Sequence, residues 1–72
     1  MWTYKALCDL AQAEADGLAA DMEAAGEPVL ELECEDVYYL YKYQLLREHG
    51  RPADAPEGDL VPQWVIRRHQ GT

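Results

Sequence analysis

The stretch TYKALCDLAQAEADGLAADMEAAG, residues 3–26, decides the fold. Thr3 is a good helix cap because its hydroxyl can accept a hydrogen bond from the first turn, and the alanine-rich sequence after it favours helix. Gly26 suits the residue that ends a helix. We therefore predict a helix over about residues 3–25. Apolar side chains follow it at steps of three and four, namely Tyr4, Leu7, Ala11, Ala15, Leu18, Met22 and Ala25.

A second helix is predicted over about residues 28–49. Pro28 suits the first turn of a new helix, and a basic turn followed by Gly50 favours its end. Two helices of similar length with a short connection form an antiparallel hairpin. The second apolar stripe also has helical spacing and consists of Leu30, Cys34, Val37, Tyr38, Tyr41 and Leu45.

The rest of the chain predicts a loop over residues 50–59, rich in Pro, Gly and Asp, and a short C-terminal element over residues 60–69. The expected fold is all-α, an antiparallel helical hairpin plus this C-terminal segment, in a single small domain over residues 1–72. An α+β alternative stays open, because Leu30, Leu32 and Cys34 alternate with glutamates as in a strand. It would place short strands near residues 29–34 and 61–67.

The charge of the chain is −8 and is unevenly distributed. Such an acidic surface repels phosphates and anionic lipid but attracts a basic protein surface. We therefore expect a basic protein partner and no direct contact with nucleic acid or membrane. Net charge also keeps a small protein soluble, which is the alternative interpretation. Between residues 6 and 41 no Lys or Arg separates the ten acids Asp9, Glu14, Asp16, Asp21, Glu23, Glu27, Glu31, Glu33, Glu35 and Asp36.

An acidic face is the first candidate binding surface. Asp9, Asp16 and Glu23 are spaced by seven residues, which stacks their carboxylates on one side of the first helix about 10 Å apart. Glu27 and Glu31 continue this row beyond the helix. These five residues are the predicted partner-binding site.

An aromatic face is the second candidate. In the run VYYLYKY, residues 37–43, tyrosines 38 and 41 face one way on a helix, and tyrosines 39 and 43 face another. One hairpin partner covers only one side, so Tyr39, Tyr43 and Leu46 form a second apolar face, with Trp64 near it in the C-terminal segment. Tyrosine is enriched at interfaces, which predicts a homodimer. Alternatively, the C-terminal segment covers this face.

No pattern indicates catalysis, a metal site or a cofactor. The chain lacks serine, and Cys8 and Cys34 have acidic neighbours and no metal or redox spacing. His49 and His69 have no His or Cys at ligand spacing, and nucleotide-binding motifs are absent. We therefore expect a non-catalytic protein with reduced cysteines. Neither a signal peptide nor a membrane-spanning run is recognised, which predicts a cytoplasmic location.

In size, acidity and lack of catalytic residues, the chain resembles small phage-encoded inhibitors of the anti-CRISPR and anti-restriction type. The resemblance is one of composition over the whole chain. It implies the cytoplasm of a bacterial host and, as target, a host nuclease or surveillance complex. The expected function is inhibition or modulation, in which the acidic face docks on a basic protein such as one that binds nucleic acid. The alternative is a homodimeric or assembly adaptor that uses the aromatic face and a face of small side chains on the first helix. That face consists of Ala6, Ala13, Gly17, Ala20 and Ala24.

Overall fold

The protein is a bundle of three helices in the computed structural model, which describes residues 1–70. These are α1 (Tyr4–Ala24), α2 (Glu31–His49) and α3 (Gln63–Gln70), with no strand within residues 1–70. α1 packs along α2 as an antiparallel hairpin, and α3 packs on α2. The predicted all-α hairpin with a C-terminal segment is confirmed. The alternative strands near residues 29–34 and 61–67 are wrong, because the first range leads into α2 and the second into α3.

The start of α1 is held by two side chains. The Thr3 hydroxyl accepts a hydrogen bond from the Ala6 backbone N–H at 3.1 Å, as predicted for a cap. In addition, the Asp54 carboxylate accepts from the Tyr4 N–H at 2.9 Å. A carboxylate at this position satisfies a free donor and interacts favourably with the helix dipole. The loop after α2 therefore folds back to stabilise the start of α1.

The end of α1 is a glycine-dependent turn, as predicted. Gly26 has φ +76°, a left-handed conformation that favours glycine. Its N–H donates to the Glu23 carbonyl at 3.1 Å, and the Glu27 N–H donates to the Met22 carbonyl at 2.9 Å. These two bonds form a Schellman motif, which satisfies the last carbonyls of the helix and reverses the chain.

The start of α2 differs from the prediction. The helix begins at Glu31 rather than near residue 28, and Pro28 lies before it. Leu30 is the capping residue, with an extended backbone and no side-chain cap bond. The turn after Gly26 and the extended preference of the residue before a proline keep this segment out of the helix. Leu30, which its spacing placed in the apolar stripe, is consequently exposed.

The core lies where the two long helices meet and where the C-terminal segment returns. The N-terminal segment is tied to the end of α2, since the Trp2 indole N–H donates to the Gly50 carbonyl at 2.8 Å. Arg51 braces the following loop by donating to the carbonyls of Gly58, at 2.8 Å, and of Pro56. The buried hydrophobic residues are Leu7, Ala11, Ala15, Met22, Leu45, Val61 and Val65.

One charged side chain is buried among these apolar ones. Lys42 is 5% exposed, and its Nζ lies 5.3 Å and 5.2 Å from the ring centroids of Tyr4 and Tyr38. Nζ also donates to the Tyr38 hydroxyl at 3.5 Å. Tyrosine rings attract cations through their negative faces, so this arrangement accommodates the ammonium group between α1 and α2.

Candidate functional site

The turn end of the hairpin carries the whole net charge of the protein. Residues 16–36 contain eight acids and no Lys or Arg, while the rest of the chain contains six acids and six Lys or Arg. The formal net charge of residues 16–36 is therefore −8, and that of the rest of the chain is zero. All eight carboxylates are exposed. We call this set the acidic end; it consists of Asp16, Asp21, Glu23, Glu27, Glu31, Glu33, Glu35 and Asp36.

The acidic end is compact along the hairpin axis. It runs from Asp16 to the end of α1, through the turn, and back to Asp36 on α2. At about 1.5 Å per helical residue, its eight carboxylates fall within roughly 15 Å. This spacing corresponds to about one negative charge per 2 Å, which is close to the value of about 1.7 Å in duplex DNA.

Two of these acids oppose the dipole of their own helix. Asp21 and Glu23 lie in the last turn of α1, which contains no basic residue. A carboxylate near the negative end of a helix is unfavourable by about 0.3–1 kcal/mol. Glu31 and Glu33, in the first turn of α2, lie at a favourable end instead. Asp21 and Glu23 therefore lower the stability of α1.

Aliphatic side chains are exposed within the acidic end. Val29 is 40% exposed, Leu30 46% and Leu32 77%. They lie in the turn and the first turn of α2, between the carboxylates. The sequence pattern did not indicate that Val29 and Leu32 are exposed, and the apolar spacing assigned Leu30 to the core. The proline and glycine in the turn were the available signal that helical spacing does not apply there.

Four of the five residues of the predicted acidic face belong to the acidic end. Asp16 and Glu23 lie on α1, Glu27 lies in the turn and Glu31 begins α2, and all of them are exposed. Asp9 is also exposed, but it lies more than one turn further from the hairpin turn and its Oδ2 is 2.6 Å from Lys5 Nζ. Asp9 is thus set apart from the other four.

The predicted aromatic interface is divided by the C-terminal segment. The ring centroids of Tyr43 and His69 are 4.8 Å apart, and the two rings meet edge-on. Leu46 and Tyr43 line one side of a cavity of about 210 Å³, and residues of the C-terminal segment line the other. Tyr39 packs instead against Tyr38, with ring centroids 5.1 Å apart. Trp64 is 38% exposed, and the guanidinium carbon of Arg68 lies 5.5 Å from the centroid of its ring.

An apolar groove of about 390 Å³ separates α1 from α3 above the surface of α2. Its floor consists of three half-buried side chains and the exposed Gln44, at helical spacing on α2, and its two sides come from α1 and α3. The sequence could not reveal this groove, because its outline depends on where α3 crosses α2. The groove is lined by Glu14, Val37, Leu40, Tyr41, Gln44, Arg68 and His69.

A polar cluster surrounds the half-buried Cys8 thiol in the first half of α1. A hydrogen bond with this thiol raises the pKa of Tyr4 above its usual value. Burial, together with a hydrogen bond to the same thiol, raises the pKa of Tyr38. Cys8 and Cys34 are both free. Within residues 1–70, no group of three or more His, Cys, Asp or Glu is arranged to hold a metal ion.

Comparisons with known proteins give no relative: no protein-family model, curated protein or solved structure matches the chain. Across the part of the chain that the structure describes, no helix is both long and apolar enough to cross a membrane.

Proposed function

We propose that this protein is a non-catalytic binding protein that docks its acidic end on a basic surface of another protein. The observation that carries the proposal is the concentration of the entire net charge of −8 in one exposed end of the molecule. A charge that served solubility alone would gain nothing from this concentration. A single-sign patch, by contrast, accelerates encounter with an oppositely charged surface and rejects partners of like charge.

The placement of Asp21 and Glu23 supports a role in binding. Both acids oppose the dipole of α1, so the fold would be more stable without them. Residues that lower stability are common where function requires them. The exposed side chains of Val29, Leu30 and Leu32 add apolar contact area within the same surface, as in interfaces that combine an apolar centre with charged surroundings.

The density of charge favours a nucleic-acid-binding protein as the partner. The acidic end matches duplex DNA in charge per unit length, and protein surfaces that bind DNA are more positively charged than other interfaces. A protein bound there would exclude nucleic acid, so its effect would be inhibition or modulation by occupancy. A defence complex in the cytoplasm of a bacterial host, as the resemblance in composition implies, is a target of this class.

Affinity capture from bacterial lysate tests the proposal with two charge-matched variants. The acidic-end variant is Asp21→Lys with Glu23→Lys, and the control variant is Glu48→Lys with Glu57→Lys; each changes the net charge by +4. We expect the unmodified protein and the control variant to capture the same basic proteins at about 0.05 M salt, and the acidic-end variant to lose them. Capture should also weaken at about 0.5 M salt, because the screening length shortens several-fold. Equal capture by all three proteins would contradict the proposal.

A further inference from the structure

Among the residues whose side chains the structure describes, none fills the groove between α1 and α3, and the chemistry of its lining restricts what can bind there. Val37, Leu40 and Tyr41 on its floor are half-buried, and together with Gln44 they extend about 10 Å along α2. This length corresponds to two turns of an opposing helix, whose apolar residues at steps of three and four would meet the floor.

A second copy of this chain is a poor occupant of the groove. Two copies can pack groove to groove about a two-fold axis parallel to α2, which sets Glu14 of one copy against Arg68 of the other. That arrangement also brings the two acidic ends side by side, with a combined charge of twice −8, or −16. An axis perpendicular to α2 separates the acidic ends but sets Glu14 against the Glu14 of the second copy. Both arrangements oppose like charges.

A cationic partner, unlike a second copy of the chain, is attracted by the charges near the groove. On α2, Glu33 lies one turn before Val37 and Asp36 lies one turn before Leu40, so both carboxylates stand where the groove opens toward the acidic end. On α1, Glu14 lines the groove. An occupant with Lys or Arg on the side that faces the acidic end is therefore attracted there, whereas acids on that side are repelled. Arg68 lines the α3 side of the groove, so it favours an acid of the occupant only on that opposite side.

The backbone of the occupant is restricted as well. The groove is lined by side chains of three helices, whose backbone groups are already paired within each helix, so an extended peptide would find no strand edge to extend. An α-helix satisfies its own backbone groups. We infer that the groove receives an amphipathic helix of the docked partner, with its apolar face on Val37 and Leu40 and its Lys or Arg residues directed to the acidic end. This inference rests on the proposed function and specifies the partner.

Titration with model peptides, followed by two-dimensional NMR of the whole protein, tests the inference. The first probe is a peptide of about fourteen residues, roughly four helical turns, with leucine at positions i, i+3, i+4 and i+7 and lysine elsewhere. The second has the same composition in an order that gives no amphipathic helix. The third replaces every lysine by glutamate. We expect saturable shifts at Val37, Leu40 and Tyr41 with the first peptide only.

Variants locate the binding. Leu40→Gln and, separately, Val37→Thr should weaken binding of the first peptide, about tenfold for Leu40→Gln, because a leucine that is covered on binding is replaced by a polar side chain. Leu10→Gln is the matched control, because it makes the same change at an exposed leucine that does not line the groove, and it should leave affinity unchanged. Circular dichroism establishes that each variant folds.

Five results would overturn the inference. If the second peptide bound as tightly as the first, an amphipathic helix would not be required. If the third peptide bound as tightly as the first, positive charge would not be required. Shifts confined to the acidic end would show an electrostatic contact without a groove site and would leave the proposed function intact. Groove shifts on concentrating the protein alone would identify a second copy as the occupant. Absence of binding by the first peptide would show that the groove does not receive a cationic amphipathic helix. Failure of the capture experiment would, in addition, contradict the proposed role of the acidic end in binding.

Discussion

Replacement of Gly17 by alanine should stabilise this protein. Gly17 is exposed in the interior of α1, and apart from the adjacent backbone of its own helix no atom lies within 4 Å of the place that a Cβ would take. Glycine in a helix interior is less favourable than alanine by about 0.8–1.0 kcal/mol, because it loses more backbone freedom on folding. Gly17→Ala should therefore raise the free energy of unfolding by about 1 kcal/mol. For a domain of this size, that change corresponds to roughly 4–8 °C in Tm.

Ala20→Gly is the matched reverse change. Ala20 is exposed in the same helix, so glycine there should lower the free energy of unfolding by about the same 1 kcal/mol. Urea unfolding followed by circular dichroism measures both variants, and an unchanged m-value would show that neither alters the surface exposed on unfolding. Destabilisation by Gly17→Ala would refute the reasoning, since it would mean that a side chain at this position meets an obstacle or that α1 is not helical there.

Three further predictions concern the two ends of α1 and the tyrosines beside Cys8. Gly26→Ala should lower the free energy of unfolding by about 1–2 kcal/mol, because its φ of +76° is left-handed; an unchanged urea midpoint would contradict this. Asp54→Ala should lower the free energy of unfolding by about 1 kcal/mol, because it removes the acceptor of the Tyr4 N–H; the same urea titration checks it, and equal stability of the variant and the parent would speak against this cap. The pKa values of Tyr4 and Tyr38 are raised in the folded protein, so their contribution to stability is fully present below about pH 10 and is lost as pH rises through the folded-state values. Thermal unfolding in an alkaline series should show this decline, and a Tyr38→Phe protein with the same alkaline slope would argue against it.

The ends of α1 were predictable because single residues determine them. Thr3 and Gly26 have the chemistry that a helix cap and a left-handed turn require, and the structure confirms both roles. The start of α2 was not predictable from periodicity, since Leu30 has the correct spacing but lies in the turn. Local turn geometry overrides the apolar pattern in such short segments.

The candidate site was only partly predictable. The spacing of Asp9, Asp16 and Glu23 by seven residues predicts that they share one side of a helix. These three side chains are exposed, as are Glu27 and Glu31, and their role in binding stays a prediction. The groove and the burial of Lys42 depend on how α3 and α1 pack on α2, which no local pattern specifies. The run of tyrosines also predicted an aromatic face, but the contact of Tyr43 with His69 and the cavity that Tyr43 and Leu46 line together with the C-terminal segment divide it. The homodimer stays a prediction.

The central claim is that the carboxylates of the acidic end serve binding at the expense of stability. Parallel measurement of urea unfolding and of partner capture for the acidic-end variant tests it most directly. Because Asp21 and Glu23 oppose the dipole of α1, their reversal to lysine should raise the free energy of unfolding by about 1 kcal/mol or more while capture of basic proteins is lost. A variant that is more stable and captures the same proteins as the unmodified chain would contradict the account, and would assign these acids to solubility alone.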